Sequence, residues 1–158
     1  MNAPSQAAKD PRRFPFPPAI PATALLLGWG MGRLWPIDVN WPAWTRGIGW
    51  VLCVAPPVLA FSAVLTFRRR RTAVNPRGTV TTIVATGPFR YTRNPMYLGL
   101  LMLYVGVTLV MRWPWAAALL VPVFLALHFG VILPEEQYLE SAFGGSYRSY
   151  RQRVRRWL

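Results

Sequence analysis

Carboxylates are scarce in this chain: five Asp and Glu stand against 18 Lys and Arg, giving a formal net charge of +13. Cysteine and histidine are scarcer still, with one of each, Cys53 and His128. One cysteine excludes an intrachain disulfide and leaves the redox compartment open. With no Cys or His partners at ligand spacing, no metal site is expected. A lone histidine in an apolar helix reads first as a hydrogen-bonded structural residue rather than a base. No small-residue cleavage site follows a short apolar core near the N-terminus, so no signal peptide is expected and the first apolar run is retained.

What is abundant is hydrocarbon. Hydrophobic residues make up 53% of 158, with mean hydropathy +0.26, which is rare for a soluble domain of this size. A bilayer-crossing helix needs about 20 mostly apolar residues. Four runs qualify as candidates: Ala19 to Ile37, broken by Pro21, three glycines and Arg33; Gly47 to Phe67, uncharged and carrying Pro56-Pro57; Pro95 to Met111; and Trp113 to Leu133, with Arg112 alone between the last two. The expected fold is therefore all-α, an integral membrane bundle of about four transmembrane helices with a C-terminal amphipathic cytoplasmic helix. Fifteen basic residues fall before the first span, between the second and third, and after the fourth; Arg33, Arg46 and Arg112 fall on the other side. The positive-inside rule then puts both termini in the cytoplasm, as for a bacterial inner-membrane protein. The same distribution explains the charge by topology and anionic head groups, so nucleic acid is not an expected partner.

The organisation that follows is a basic, proline-rich cytoplasmic N-terminus over 1–18 and a single membrane domain over 19–158. That domain divides into a connector over 68–94, a helical hairpin over 95–133 and cytoplasmic C-terminal helices over 134–158. Pro56-Pro57 predicts a kink in the second span, and Gly28, Gly30 and Gly32 predict close helix contact in the first. The run Thr79 to Ala85 is dominated by β-branched residues that favour extended backbone. Asn94-Pro95 predicts a capped helix start whose free amides suit a carboxylate.

Two stretches carry chemistry. Gly87 to Gly99, GPFRYTRNPMYLG, packs arginines, aromatics and prolines against the start of the third apolar run, and Pro134-Glu135-Glu136 closes the fourth. Adjacent acids on a helix point about 100° apart, so one can face the bundle while the other pairs elsewhere. After Gly144-Gly145, Ser146 can cap a last helix with Tyr147, Tyr150, Val154, Trp157 and Leu158 on one face and arginines on much of the other. Such a helix suits a membrane surface or the roof of a ligand site.

These two motifs, GPFRYTRNPMYLG followed by PEEQYLESAFGGSYRSYRQRVRRWL, resemble the isoprenylcysteine carboxyl methyltransferase family, in particular its small bacterial members, with phospholipid N-methyltransferases related. The resemblance covers roughly Thr72 to Leu158. It implies an integral membrane enzyme that binds S-adenosyl-L-methionine at the cytoplasmic face, between the last two spans and under the C-terminal segment. Carried over by motif position, Thr81, Thr82, Ile83, Val84, Gly87, Phe89, Asn94, Pro95, Met96, Tyr97, Glu135 and Glu136 contact the cofactor. Arg93, Asn94 and Glu135 serve catalysis, with Arg93 or Arg90 orienting an anionic group and no general base nominated. Asn94 stands where the family usually has His, and Val131 where its eukaryotic members resemble one another in having a substrate-contacting Arg.

A sulfonium donor bearing an ammonium and a carboxylate needs an acid, a polar helix N-terminus and apolar cover rather than a glycine-rich phosphate cradle. The implied reaction is methyl transfer to a lipophilic small molecule, lipid or isoprenoid-type carboxylate. The competing classes are a membrane reductase using NADPH and a non-catalytic lipid-binding membrane protein.

Overall fold

Prolines set most of the helix boundaries. The computed structural model describes residues 16–69 and 87–157, all helix, helical turn or connecting coil with no strand among them. In chain order these are α1 (Ala19–Leu34), α2 (Trp44–Arg69), a 3-10 turn (Gly87–Arg90), α3 (Pro95–Met111), α4 (Pro114–Ala118), α5 (Leu120–Leu127), a π turn (His128–Ile132), α6 (Leu133–Phe143) and α7 (Gly145–Arg153). Pro95 and Pro114 open α3 and α4 at the position where a missing N–H is harmless. Pro122 lies four residues after Ala118, so it cannot donate to that carbonyl, and the fourth apolar run breaks at Leu119. Pro134 does the same to Gly130. The ladder responds just ahead of it, where Leu133 donates to the His128 carbonyl five residues back.

The helices meet through small residues. A Cβ on Gly28 would stand 2.8 Å from the Ala116 Cβ, so α1 and α4 touch backbone to backbone. A Cβ on Gly106 would meet the Cys53 sulfur at 2.8 Å and the Gly49 carbonyl at 2.9 Å, so α2 lies equally close to α3. Of the three glycines expected to give close contact in α1, Gly28 does; Gly30 meets nothing within 4 Å and Gly32 only the Trp115 ring at 3.9 Å. Tyr104, 1% exposed, donates to the Ala116 carbonyl at 2.6 Å and ties the two arms of the hairpin. Ala24, Tyr104, Val123, Leu127 and Val131 form the buried core between α1, α3 and α5. α2 runs unbroken through Pro56 and Pro57.

Arg112 closes α3 in the left-handed conformation, φ 54° and ψ 49°, with its N–H on the Thr108 carbonyl. That turn produces the expected hairpin. Of the four expected spans, Leu120–Phe143 is long and apolar enough, at 24 residues, to cross a bilayer. Pro95–Met111 is apolar but shorter, and α1 has 16 residues, where about 20 are needed. α2 has 26 residues, although several of its side chains lie outside the description. The described residues are thus all helix, turn or coil, with one clear membrane-span candidate among them.

Candidate active site

The polar connector and the end of the fourth apolar run converge as the two motifs require. Tyr97, in the first turn of α3, donates its hydroxyl to Glu135 Oε2 at 2.6 Å. Among the described residues the other Glu135 oxygen has no hydrogen-bond partner. The adjacent acid turns elsewhere: Glu136, 6% exposed, takes three contacts from Arg156, Nε to Oε1 at 3.1 Å and to Oε2 at 3.2 Å, and Nη2 to Oε2 at 2.8 Å. Arg93 Nη1 lies 3.2 Å from Glu136 Oε1, both side chains being 8% exposed. That contact is an ion pair by distance without hydrogen-bond alignment, since Arg93 Nε and Nη1 have no aligned acceptor. One buried carboxylate thus neutralises one of two guanidinium charges, a geometry that fixes position more than it adds stability.

Around this triad the tail is fastened to the connector. Arg93 N–H donates to the Arg155 carbonyl at 2.9 Å. The Thr92 hydroxyl and the Asn94 side-chain amide both reach the Arg156 carbonyl, at 3.0 and 3.1 Å. From α7, the Tyr150 hydroxyl donates to the Phe89 carbonyl at 2.8 Å. Burial, with the neighbouring Tyr147, pushes Tyr150 up to about 12, against the opposing pull of Arg93. Burial also raises Tyr147, with the Glu136 charge adding to it. Hydrogen bonding to Glu136 raises Arg156 above its already high ordinary value.

The structure corrects two capping expectations. Asn94 occupies the N-cap of α3 but its side chain makes no cap bond, because the Arg156 carbonyl claims the amide. Ser146 lies inside α7, whose N-cap is Gly144 at φ 52°; the glycine pair does break the helix as expected. The aromatic face of α7 is turned inward: Tyr147, Tyr150 and Val154 pack with Leu139 and Phe143.

Other expected site residues scatter more widely. Gly87 is exposed and Phe89 partly buried in the 3-10 turn, Pro95 is buried, and Met96 is 53% exposed. Arg90 is exposed, and Val131 is a core residue at 1%. Thr81, Thr82, Ile83 and Val84, the extended run around them, Arg70, Arg71, Arg77 and Leu158 lie outside the described residues.

Three contributors were not singled out from sequence for this role. Arg156 and Thr92 hold the tail; Arg156 sits in a basic run whose charge topology alone explained. The third is an aromatic wall: Trp157 packs on Phe124 at 5.2 Å between ring centroids and stacks with His128 at 6.2 Å. His128 Nδ1 and Trp157 Nε1 are buried there without a hydrogen-bond partner. The signal for it was an aromatic directly after Arg155-Arg156 and a histidine six residues before Pro134.

Fold and site define a helical protein with a near-buried acid pair under a basic tail. The phospholipid methyltransferase family matches over residues 44–146, and the chain belongs to that family, which also holds the isoprenylcysteine carboxyl methyltransferase-like proteins. Membership places it among membrane-associated methyltransferases of lipids. An uncharacterized protein of Haemophilus influenzae is 43% identical over 63 residues, which is 40% of this chain and the whole of that one. No solved structure matches.

Proposed function

We propose that the chain is an integral membrane methyltransferase that takes S-adenosyl-L-methionine where α3 and α6 begin and methylates a lipid or lipophilic small molecule, an isoprenoid-type carboxylate included. The observation that carries this reading is the Tyr97–Glu135 pair. It leaves one carboxylate oxygen available to a cationic group, beside the start of α3. Asn94, Pro95, Met96 and Tyr97 frame that start. Glu135 would hold the donor, with Tyr97 orienting the carboxylate, while Phe89, Gly87 and the run Thr81 to Val84 would extend the site along the connector. The orphaned N–H-bearing rings of His128 and Trp157 add polar capacity to an otherwise apolar wall. When bound, S-adenosyl-L-methionine supplies a methyl group on an electrophilic sulfonium.

The protein's own work is alignment and exclusion of water. The tail, tied to Thr92, Arg93 and Asn94, roofs the site. Glu136 serves that roof by clamping Arg156 and Arg93, so its role is positioning and Glu135 is the acid that faces the ligand. Arg93 is held inward by Glu136, which leaves exposed Arg90 as the guanidinium better placed to orient an anionic acceptor. A carboxylate acceptor needs no base.

For the membrane arrangement, the reading is about four crossings with both termini cytoplasmic, supported by the 15-to-3 distribution of basic residues. The test of function is mass spectrometry of lipid extracts from cells fed methyl-deuterated methionine, with the protein, without it, and with Glu135→Gln. A labelled lipophilic species present only with the wild-type chain is expected. Identical extracts in all three would refute the reading.

A further inference from the structure

The end of the molecule remote from Glu135 carries a polar feature that methyl transfer does not use. α3 runs 17 residues from Pro95, so its far end lies roughly 25 Å away at about 1.5 Å per residue. There a cavity of about 330 Å3 opens between the end of α1 and the α3–α4 turn, lined by Trp29, Arg33, Ile37, Arg112, Trp113 and Pro114 among others. Its wall holds two arginines and no carboxylate.

Neither arginine is ion-paired among the described residues. The ion pairs among the described residues join Arg93 and Arg156 to Glu136 and Arg151 to Glu140. Arg112 Nε is buried without a hydrogen-bond partner. Arg33 lies over the Trp29 ring, 5.6 Å from its centroid, which steadies it at the rim. A simpler account makes both arginines partners of helix C-terminal dipoles. It explains their charge but not the buried Nε, since the nearby Thr108 carbonyl already accepts the backbone N–H groups of Arg112 and Trp113.

We propose that this cavity binds a phosphate-bearing anion, the phosphodiester of an anionic phospholipid being the occupant its surroundings favour. Guanidinium groups match phosphate oxygens in charge and geometry. Tryptophans such as Trp29 and Trp113 suit the head-group level of a bilayer. The lipid source rests on reading α3 as membrane-crossing; free phosphate would satisfy the same chemistry from solution.

Native mass spectrometry of the full chain in detergent, with phosphatidylglycerol, phosphatidylcholine or inorganic phosphate added, tests this. Wild type is expected to retain one more tightly bound phosphatidylglycerol than Arg33→Gln/Arg112→Gln, with no such difference for phosphatidylcholine. Arg148→Gln/Arg153→Gln, which removes equal charge from α7, should keep the wild-type count. A phosphate adduct lost in the same double variant would support the site with a soluble occupant. Equal retention of both anions by wild type and the double variant overturns the proposal. Arg33 is exposed, so Arg33→Gln alone carries the comparison if the double variant fails to fold. Binding of S-adenosylhomocysteine should be unchanged in these variants; its absence from wild type would refute methyl transfer without touching this site.

Discussion

At the scale of single residues, the neighbouring acids have separate tasks, and each task has its own readout. Tyr97→Phe removes a hydrogen bond to a carboxylate, an interaction of about 1.5–3 kcal/mol. Weakening of S-adenosylhomocysteine binding by roughly tenfold or more is expected, with a smaller loss of stability than Glu136→Ala causes, when both are measured on the same preparation. Glu136→Ala should act in the opposite way. It strands Arg93, whose side chain is 8% exposed, as an uncompensated buried charge, and a loss of about 3–5 kcal/mol of stability is expected in denaturant unfolding. Tyr150 supplies a pH dependence. Its folded pKa, about 12, lies above the ordinary 10, so the protonated hydroxyl is the form the fold favours. That stabilisation is complete below pH 10 and is lost as pH rises from about 10 towards 12. Thermal unfolding followed across that range should show a steeper decline for wild type than for Tyr150→Phe.

At the scale of elements, close approach between helices governs stability and proline governs direction. Gly106→Val would push a side chain into the Cys53 sulfur and the Gly49 carbonyl. Overpacking of this kind costs about 1–3 kcal/mol, so a lower melting temperature in detergent is expected, whereas Gly30→Val, with nothing within 4 Å, should leave it nearly unchanged. Much of this level was legible in the sequence. α3 begins at Pro95 and ends at Met111 as the apolar run does, because proline at its start and a lone arginine at its end are strong local signals. The π turn was not legible: Pro134 announced a lost hydrogen bond but not that the ladder would shift upstream to His128. Asn94 and Ser146 failed as caps for a different reason. A tail carbonyl 62 residues away took the Asn94 amide, and Gly144 ended one helix and began the next before Ser146 was reached. A long-range partner overrides local propensity at Asn94, and a neighbouring glycine does so at Ser146.

At the scale of the whole molecule, the two sequence motifs are distant in the chain and adjacent in space. Their convergence at Tyr97 and Glu135 was readable from motif pairing. The tail was legible as a cover for the site, but the residues that fasten it were not, since Arg156 and Thr92 look like any other surface arginine and threonine until the tail folds back. Charge asymmetry remains the whole-chain signal for orientation: reporter fusions at the C-terminus should be active only in their cytoplasmic form. Glu135 is proposed to hold the cationic amino-acid end of an S-adenosyl ligand beneath the tail. Calorimetric titration of S-adenosylhomocysteine into detergent-purified protein, wild type beside Glu135→Gln, tests it most directly. Saturable heat is expected for wild type and affinity at least tenfold weaker for the variant; no binding to either, or equal binding to both, would rule that role out.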